Sequence, residues 1–305
     1  MKQESLYIQD GEHQLHLRHI YQNLGGTPVL MIHGAVENGR IFYTEKGKGL
    51  ACYLAEQGFD VYVADLRGRG KSRPAIQADA SYGQYEAITR DIPLFIDFIA
   101  DKTQQKIHLI SHSWGGVLIA STLSRFPHYL EKVYSNVCFG TKRSVKINNL
   151  AKFIKVKLFW NTFAVRLTQR KGFLNAKKYK LGSDNETIQS VSHSVAWVKK
   201  GHWIDPQDDY DYFASAQLIK WPPTWHLTGV KDNVLGQAGD VLNFIEETAN
   251  DQAKFTLLAI KNGNLVDYDH IDILTHPKAV IDHFPEIACW LKEVQKKLLN
   301  SRLER

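Results

Sequence analysis

Ile107-His108-Leu109-Ile110-Ser111-His112-Ser113-Trp114-Gly115-Gly116 reads as an apolar strand that delivers one serine to a sharp turn, after which a helix begins. A side chain displayed on so tight a turn forces its own backbone to positive φ, and the residues two before and two after it must then be small. Ser111 and Gly115 meet that demand around Ser113. Were Ser111 the displayed residue, Leu109 would hold the first small position, and its branched side chain would strike the following helix. Ser113 is therefore the candidate nucleophile. A helix over 115–126 would aim its N-terminus at that serine, where unpaired amides and the macrodipole favour developing negative charge.

The stretch resembles the nucleophile elbow of the α/β-hydrolase superfamily, whose G-x-S-x-G pattern becomes Ser111-His112-Ser113-Trp114-Gly115, with serine in place of the first glycine. Upstream, Pro28-Val29-Leu30-Met31-Ile32 is a continuous apolar run, as expected of a strand buried on both faces of a parallel sheet, and it ends at His33-Gly34-Ala35. In the superfamily a His-Gly pair after the third strand opens the oxyanion loop; the resemblance implies the amides of Ala35 and Trp114 as its two donors. Such amides stabilise charge present mainly in the transition state. Asp65-Leu66-Arg67-Gly68-Arg69-Gly70-Lys71-Ser72 is similar to the superfamily's D-x-R-G-x-G-x-S loop. It lacks the spacing of a Walker A phosphate cradle, which leaves a structural role.

A serine hydroxyl is nearly inert at neutral pH and needs a base with a group to orient it. The superfamily's chain order is serine, acid, histidine. The resemblance assigns the acid to Asp232, just past the expected seventh strand, and the base to His270, past the eighth. Asp267, Asp269 and Asp272 are rival acids too close in sequence to reach the ring easily, and His226 and His276 are weaker bases by position. Asp269 replaces a glycine that often precedes this histidine, and Asp272 matches the His-x-Asp of acid lipases, where a second acid supports the loop. The rate should fall on the acid side as an imidazole of ordinary pKa, about 6.5, takes up a proton.

Around these motifs the chain alternates strand and helix signals. Residues 6–8 and 15–21 flank the Asp10-Gly11 turn as an opening antiparallel hairpin. Helices are expected over 49–57, 91–100 (broken early by Pro93) and 284–299, and strands over 60–65, 133–139, 224–229 and 254–260. The α/β rhythm disappears over 141–220, where α/β hydrolases commonly insert a helical cap. The expected organisation is therefore a core of 1–140 and 221–305, an eight-stranded and mostly parallel sheet with helices on both faces, plus a cap after strand 6.

The 305 residues suit one α/β domain with such an insertion. No secretory signal and no apolar run of spanning length is read, which makes the cytoplasm the expected location. Cys52, Cys138 and Cys289 are odd in number and set among apolar residues, as for reduced core thiols. His13, His16 and His19 read as positions along a strand; no metal site and no cofactor are expected. The formal charge of +6 is concentrated in 142–180, which carries no acidic residue. There Phe153, Val156, Trp160, Phe163 and Leu167 recur at helical spacing with Lys152, Lys155, Arg166 and Arg170 to one flank. That describes either a cap helix with a solvated basic side or a lid touching an anionic membrane, and no nucleic-acid-binding signature accompanies it.

The resemblance thus implies a serine hydrolase acting on a carboxylic ester, lipid-like or a small acyl ester, through an acyl-enzyme. An S33-type aminopeptidase on the same core and a non-catalytic ligand-binding member of the fold are the alternatives. Epoxide hydrolases and dehalogenases place an aspartate where this chain has Ser113.

Overall fold

The apolar runs on either side of the elbow lie next to each other in the computed structural model, which describes residues 1–144, 172–198, 201 and 203–303. β3 (Pro28–Ile32) pairs in parallel with β5 (Ile107–His112) on one side and with β4 (Asp60–Asp65) on the other. Beyond β5 follow β6 (Val133–Phe139), β7 (Thr224–Gly229) and β8 (Lys254–Leu258), all parallel. The hairpin of β1 (Lys2–Asp10) and β2 (His13–Tyr21) closes the other edge, with β2 antiparallel to β4. The eight strands run in the order β1-β2-β4-β3-β5-β6-β7-β8.

Every residue of β3 through β7 is buried, which is why those segments are apolar without alternation. Their side chains still divide by the two-residue period of a strand. Leu30 and Ile32 join one core with Phe95, Ile96 and Ile99 of α2 (Ile92–Thr103) and Val117 and Leu123 of α3 (Trp114–Arg125). Val29 and Met31 join the opposite core with Leu54 of α1 (Leu50–Glu56) and Phe284, Ile287 and Leu291 of a C-terminal helix, His283–Leu303. Helices on both faces leave the C-terminal edge of the parallel strands as the place where loops can gather a site.

Two expectations about local structure are corrected. Pro93 does not break its helix: Gln84–Glu86 leads through a π-wound turn, Ala87–Asp91, directly into α2, and the proline sits in the first turn of α2. The wider turn, in which Ile92 N bonds Ala87 O, absorbs the donor that proline lacks. Cys289 is exposed, unlike buried Cys52 and Cys138, because it lies on the outer side of the C-terminal helix while its neighbours Ala288 and Leu291 face the core.

After β6 the chain leaves the sheet. Its described part forms a short antiparallel pair, Phe173–Leu174 with Glu186–Thr187, then α4 (Ile188–Trp197) and α5 (Tyr212–Ala216). Trp197, Trp203 and Tyr212 are buried together against Phe244 and join the core of α2 and α3. The basic helix expected around Phe153 to Arg170 lies outside the described residues. The first two cations of the basic segment point inward: Lys142 Nζ is 3.3 Å from Asp240, and buried Arg143 forms a forked pair with Glu247 at 2.7 and 2.8 Å. Among the described residues no helix is long and apolar enough to cross a membrane.

Candidate active site

Ser113 stands between the last residue of β5 and the first of α3 with φ 51° and ψ −124°. A non-glycine residue held there stores about 1–3 kcal/mol of strain and persists only where its surroundings fix it. The Ser113 amide donates to Phe139 O of β6 at 2.7 Å. Close approach does the rest. A Cβ on Gly115 would lie 2.5 Å from His33 O and 2.6 Å from Ile32 O, and one on Gly34 would lie 2.9 Å from Ser113 Cβ. The small residue at Ser111 is buried, and Gly116 is packed so tightly that a Cβ there would meet Thr141 Oγ1 at 2.3 Å and Ser111 Oγ at 2.9 Å.

Asp232 follows β7 and His270 follows β8, and the fold brings the two together: His270 Nδ1 is 2.5 Å from Asp232 Oδ2. Leu235 N donates to the other carboxylate oxygen at 3.0 Å. Gly140, at φ 56°, and Gly236 make room for the pair, since a Cβ on either would come within 2.9 Å of His270 Nδ1 or 2.5 Å of Asp232 Oδ2 respectively. Burial raises the Asp232 carboxyl, but the hydrogen bond and charge of His270 and the amides of Gly236 and Leu235 outweigh it, holding the acid below its ordinary value. Burial lowers the His270 imidazole; Asp232 partly restores it and His112 lowers it further, leaving it below the usual histidine value.

The rivals are occupied elsewhere. Asp267 accepts the Ile260 amide at 2.8 Å. Asp269 accepts the amides of Ile271 and Asp272 at 2.8 Å while Asp272 accepts that of Asp269, so these two carboxylates brace the turn that carries His270. His226, inside β7, is pushed down to about 4 by burial, and His276 accepts the Lys278 amide at 3.1 Å. The three strand histidines of β2 each meet a carboxylate, His13 with Asp79, His16 with Asp65 and His19 with Asp60.

In the loop after β3, Gly34 N donates to Glu37 Oε2 at 2.9 Å and Val36 N to Glu186 Oε2 at 3.2 Å, committing the amides on either side of Ala35. Trp114 N is the first amide of α3, at an end where donors have no intrahelical acceptor. His33 is buried; its Nε2 accepts Leu66 N at 3.2 Å, which leaves the proton on Nδ1 to donate to Gly34 O at 2.9 Å.

Two residues escaped the sequence analysis. His112, buried immediately before the serine, reaches Glu37 Oε2 with Nδ1 and the backbone carbonyl of His270 with Nε2, both at 2.8 Å. Its ring lies 4.7 Å from that of His270, centroid to centroid. Both partners of His112 are acceptors, so both nitrogens carry protons and the ring is an imidazolium beside the Glu37 carboxylate. The shifts agree: burial opposes the charge, and Glu37 overrides it to raise His112, while His112 overrides burial to lower Glu37. The available signal was a glutamate four residues after His33 in an otherwise small, apolar loop.

The sequence model of the alpha/beta hydrolase fold matches residues 27–278. Among curated proteins the chain is similar to gastric triacylglycerol lipase of Mus musculus, 29% identical over 46% of this chain and 40% of that protein. It is also similar to triacylglycerol lipase 1 of Arabidopsis thaliana, 29% identical over 84% of this chain and 77% of that one. The match to the mouse lipase, like that to triacylglycerol lipase 2 of Arabidopsis thaliana at 25%, spans less than half of the relative's length. Among solved structures, a soluble variant of monoglyceride lipase from Saccharomyces cerevisiae shares the fold, with a TM-score of 0.69 at 15% identity and 96% of each chain covered.

Proposed function

The chain belongs to the alpha/beta hydrolase fold family, and from that premise we propose that it is a serine hydrolase that cleaves a carboxylic ester. The observation that carries the proposal is Ser113 at positive φ between β5 and α3, with the bonded pair of His270 and Asp232 brought to the same end of the sheet. In this reading His270 takes the hydroxyl proton as Ser113 Oγ attacks the carbonyl carbon, and Asp232 holds the imidazole by Nδ1. The amides of Ala35 and Trp114 receive the oxyanion. His270 then gives the proton to the departing alcohol, and water repeats the sequence on the acyl-enzyme to release the acid. Asp232, kept ionised by its hydrogen bonds, stabilises the imidazolium formed in each half.

The curated relatives are named as lipases, which supports an ester with an acyl chain as substrate. We place the cap over 141–220, with the packed part described above as its base. The test is labelling by a fluorophosphonate and hydrolysis of a p-nitrophenyl ester series. Ser113→Ala should lose the label and at least about 10⁴-fold in kcat, and Asp232→Asn about as much, with folding intact. A label retained by Ser113→Ala, or near-normal turnover by Asp232→Asn, would refute the assignment.

A further inference from the structure

Val36 is held at φ 53°, a conformation that a β-branched side chain adopts only where its surroundings impose it. What imposes it is not the sheet. Val36 N donates to Glu186 Oε2 at 3.2 Å, Val36 O accepts Asp184 N at 2.9 Å, and the side chain is buried among Leu174, Ala176 and Val191. Gly182 lies closer still: a Cβ there would be 2.3 Å from Val36 O and 2.7 Å from Val36 Cβ. All of these residues belong to the segment inserted between β6 and β7. The segment is itself pinned to the core. Asp184 Oδ2 accepts Asn38 Nδ2 at 3.0 Å and Gly70 N at 2.7 Å, and the other oxygen of Glu186 pairs with buried Arg69.

A segment that only covered the core could rest on it anywhere. This one grips, by amide, carbonyl and side chain, the residue that directly follows Ala35. The loop lies against Ser113, since a Cβ on Gly34 would be 2.9 Å from Ser113 Cβ. The peptide planes on either side of the Ala35 amide are both anchored, through Gly34 N on Glu37 and Val36 N on Glu186, so the plane between them has little freedom to turn. Among the described residues the Ala35 amide itself donates to no protein acceptor. Glu37 belongs to the loop it braces, whereas Glu186 comes from the insertion, and without that second anchor nothing local favours positive φ at a valine.

We propose that Glu186 is a positioning residue which, with Asp184 and Gly182, clamps Val36 so that the Ala35 amide is aimed at the oxyanion. The insertion then supplies part of the geometry of catalysis as well as a cover. The proposal rests on the ester-hydrolase reading above and on the oxyanion donors assigned there. Two variants test it. Glu186→Gln leaves one acceptor oxygen for two donors; the Arg69 cation takes it, and the amide NH2 is turned toward Val36 N, which is released. Gly182→Ala meets Val36 O directly and leaves Glu186 in place, so it decides if Glu186→Gln does not fold. Each is compared with the parent protein on p-nitrophenyl butyrate and on its thionoester, in which sulfur replaces the carbonyl oxygen. Sulfur accepts hydrogen bonds weakly and gains little from an aimed amide. Loss of one oxyanion donor costs about 10²- to 10³-fold in kcat, so one turned aside should cost about 10- to 100-fold on the oxygen ester, with KM and the thionoester rate each changed by less than about 3-fold. An equal loss on both esters, or no loss on either, in a folded variant overturns the clamp and leaves the hydrolase reading standing. Neither fluorophosphonate label nor turnover of any ester by the parent protein would remove both.

Discussion

His112 is charged in a place where charge is expensive, and the reason lies in its two partners, the Glu37 carboxylate and the His270 carbonyl. The same imidazolium faces the His270 ring at 4.7 Å and resists a second proton there. The acid limb of kcat/KM should therefore lie below the roughly 6.5 of an ordinary imidazole, lower than the sequence alone suggests. His112→Gln removes that repulsion and leaves Glu37, whose charge favours protonation of His270, so both changes push the His270 pKa up and the limb should move to higher pH. A pH–rate profile checks this. A limb that stays in place, with only the maximal rate reduced, would mean that His112 acts through packing alone.

Among the elements, the loop after β4 does more than turn the chain. Asp65 accepts Gly39 N at 2.8 Å and Lys71 N at 2.9 Å, and a Cβ on Gly70, at φ 50°, would lie 2.2 Å from its carboxylate. Arg67 bonds Asp91 at 2.7 and 3.1 Å and Asp10 at 2.5 Å, tying the loop to the start of α2 and the tip of the first hairpin. Asp91 is wholly buried, so Arg67→Met should leave an uncompensated carboxylate and lower the unfolding free energy by about 3–5 kcal/mol in a denaturant titration. A loss under about 1 kcal/mol would show that Asp91 is satisfied by the Arg67 backbone amide alone. The runs that became β3 to β7 were legible because strands covered on both faces leave no polar side to disguise them. The π-wound entry to α2 was not, since nothing local to Pro93 says that the turn before it will widen. Nor was the exposure of Cys289, because residues adjacent along a helix point about 100° apart and apolar neighbours do not bury them.

At the scale of the molecule, the meeting of Asp232 with His270 beyond the strand ends was legible because the resemblance fixes their order along the chain, whereas Glu37 and His112 carry no such order and meet only once the strands are aligned. Net charge is equally silent about where a given cation points. Lys142 and Arg143 belong to a long basic stretch, yet the fold spends both inside, where Arg143 and Glu247 fasten the departure from β6 to the helix Ala238–Glu247. One thread runs across three strand ends: the Gly34 amide after β3, the Glu37 carboxylate, the His112 ring closing β5, and the His270 carbonyl after β8. Such a thread cannot open at one point without stranding a buried charge, so the loops it joins should breathe together or not at all. Deuterium uptake by native protein reads this directly: the Gly34 amide should exchange as slowly as the sheet itself, while Ile271 and Asp272, bonded only within their own exposed turn, exchange early. Rapid uptake at Gly34 would mean that the loop after β3 fluctuates independently of the turn that carries His270.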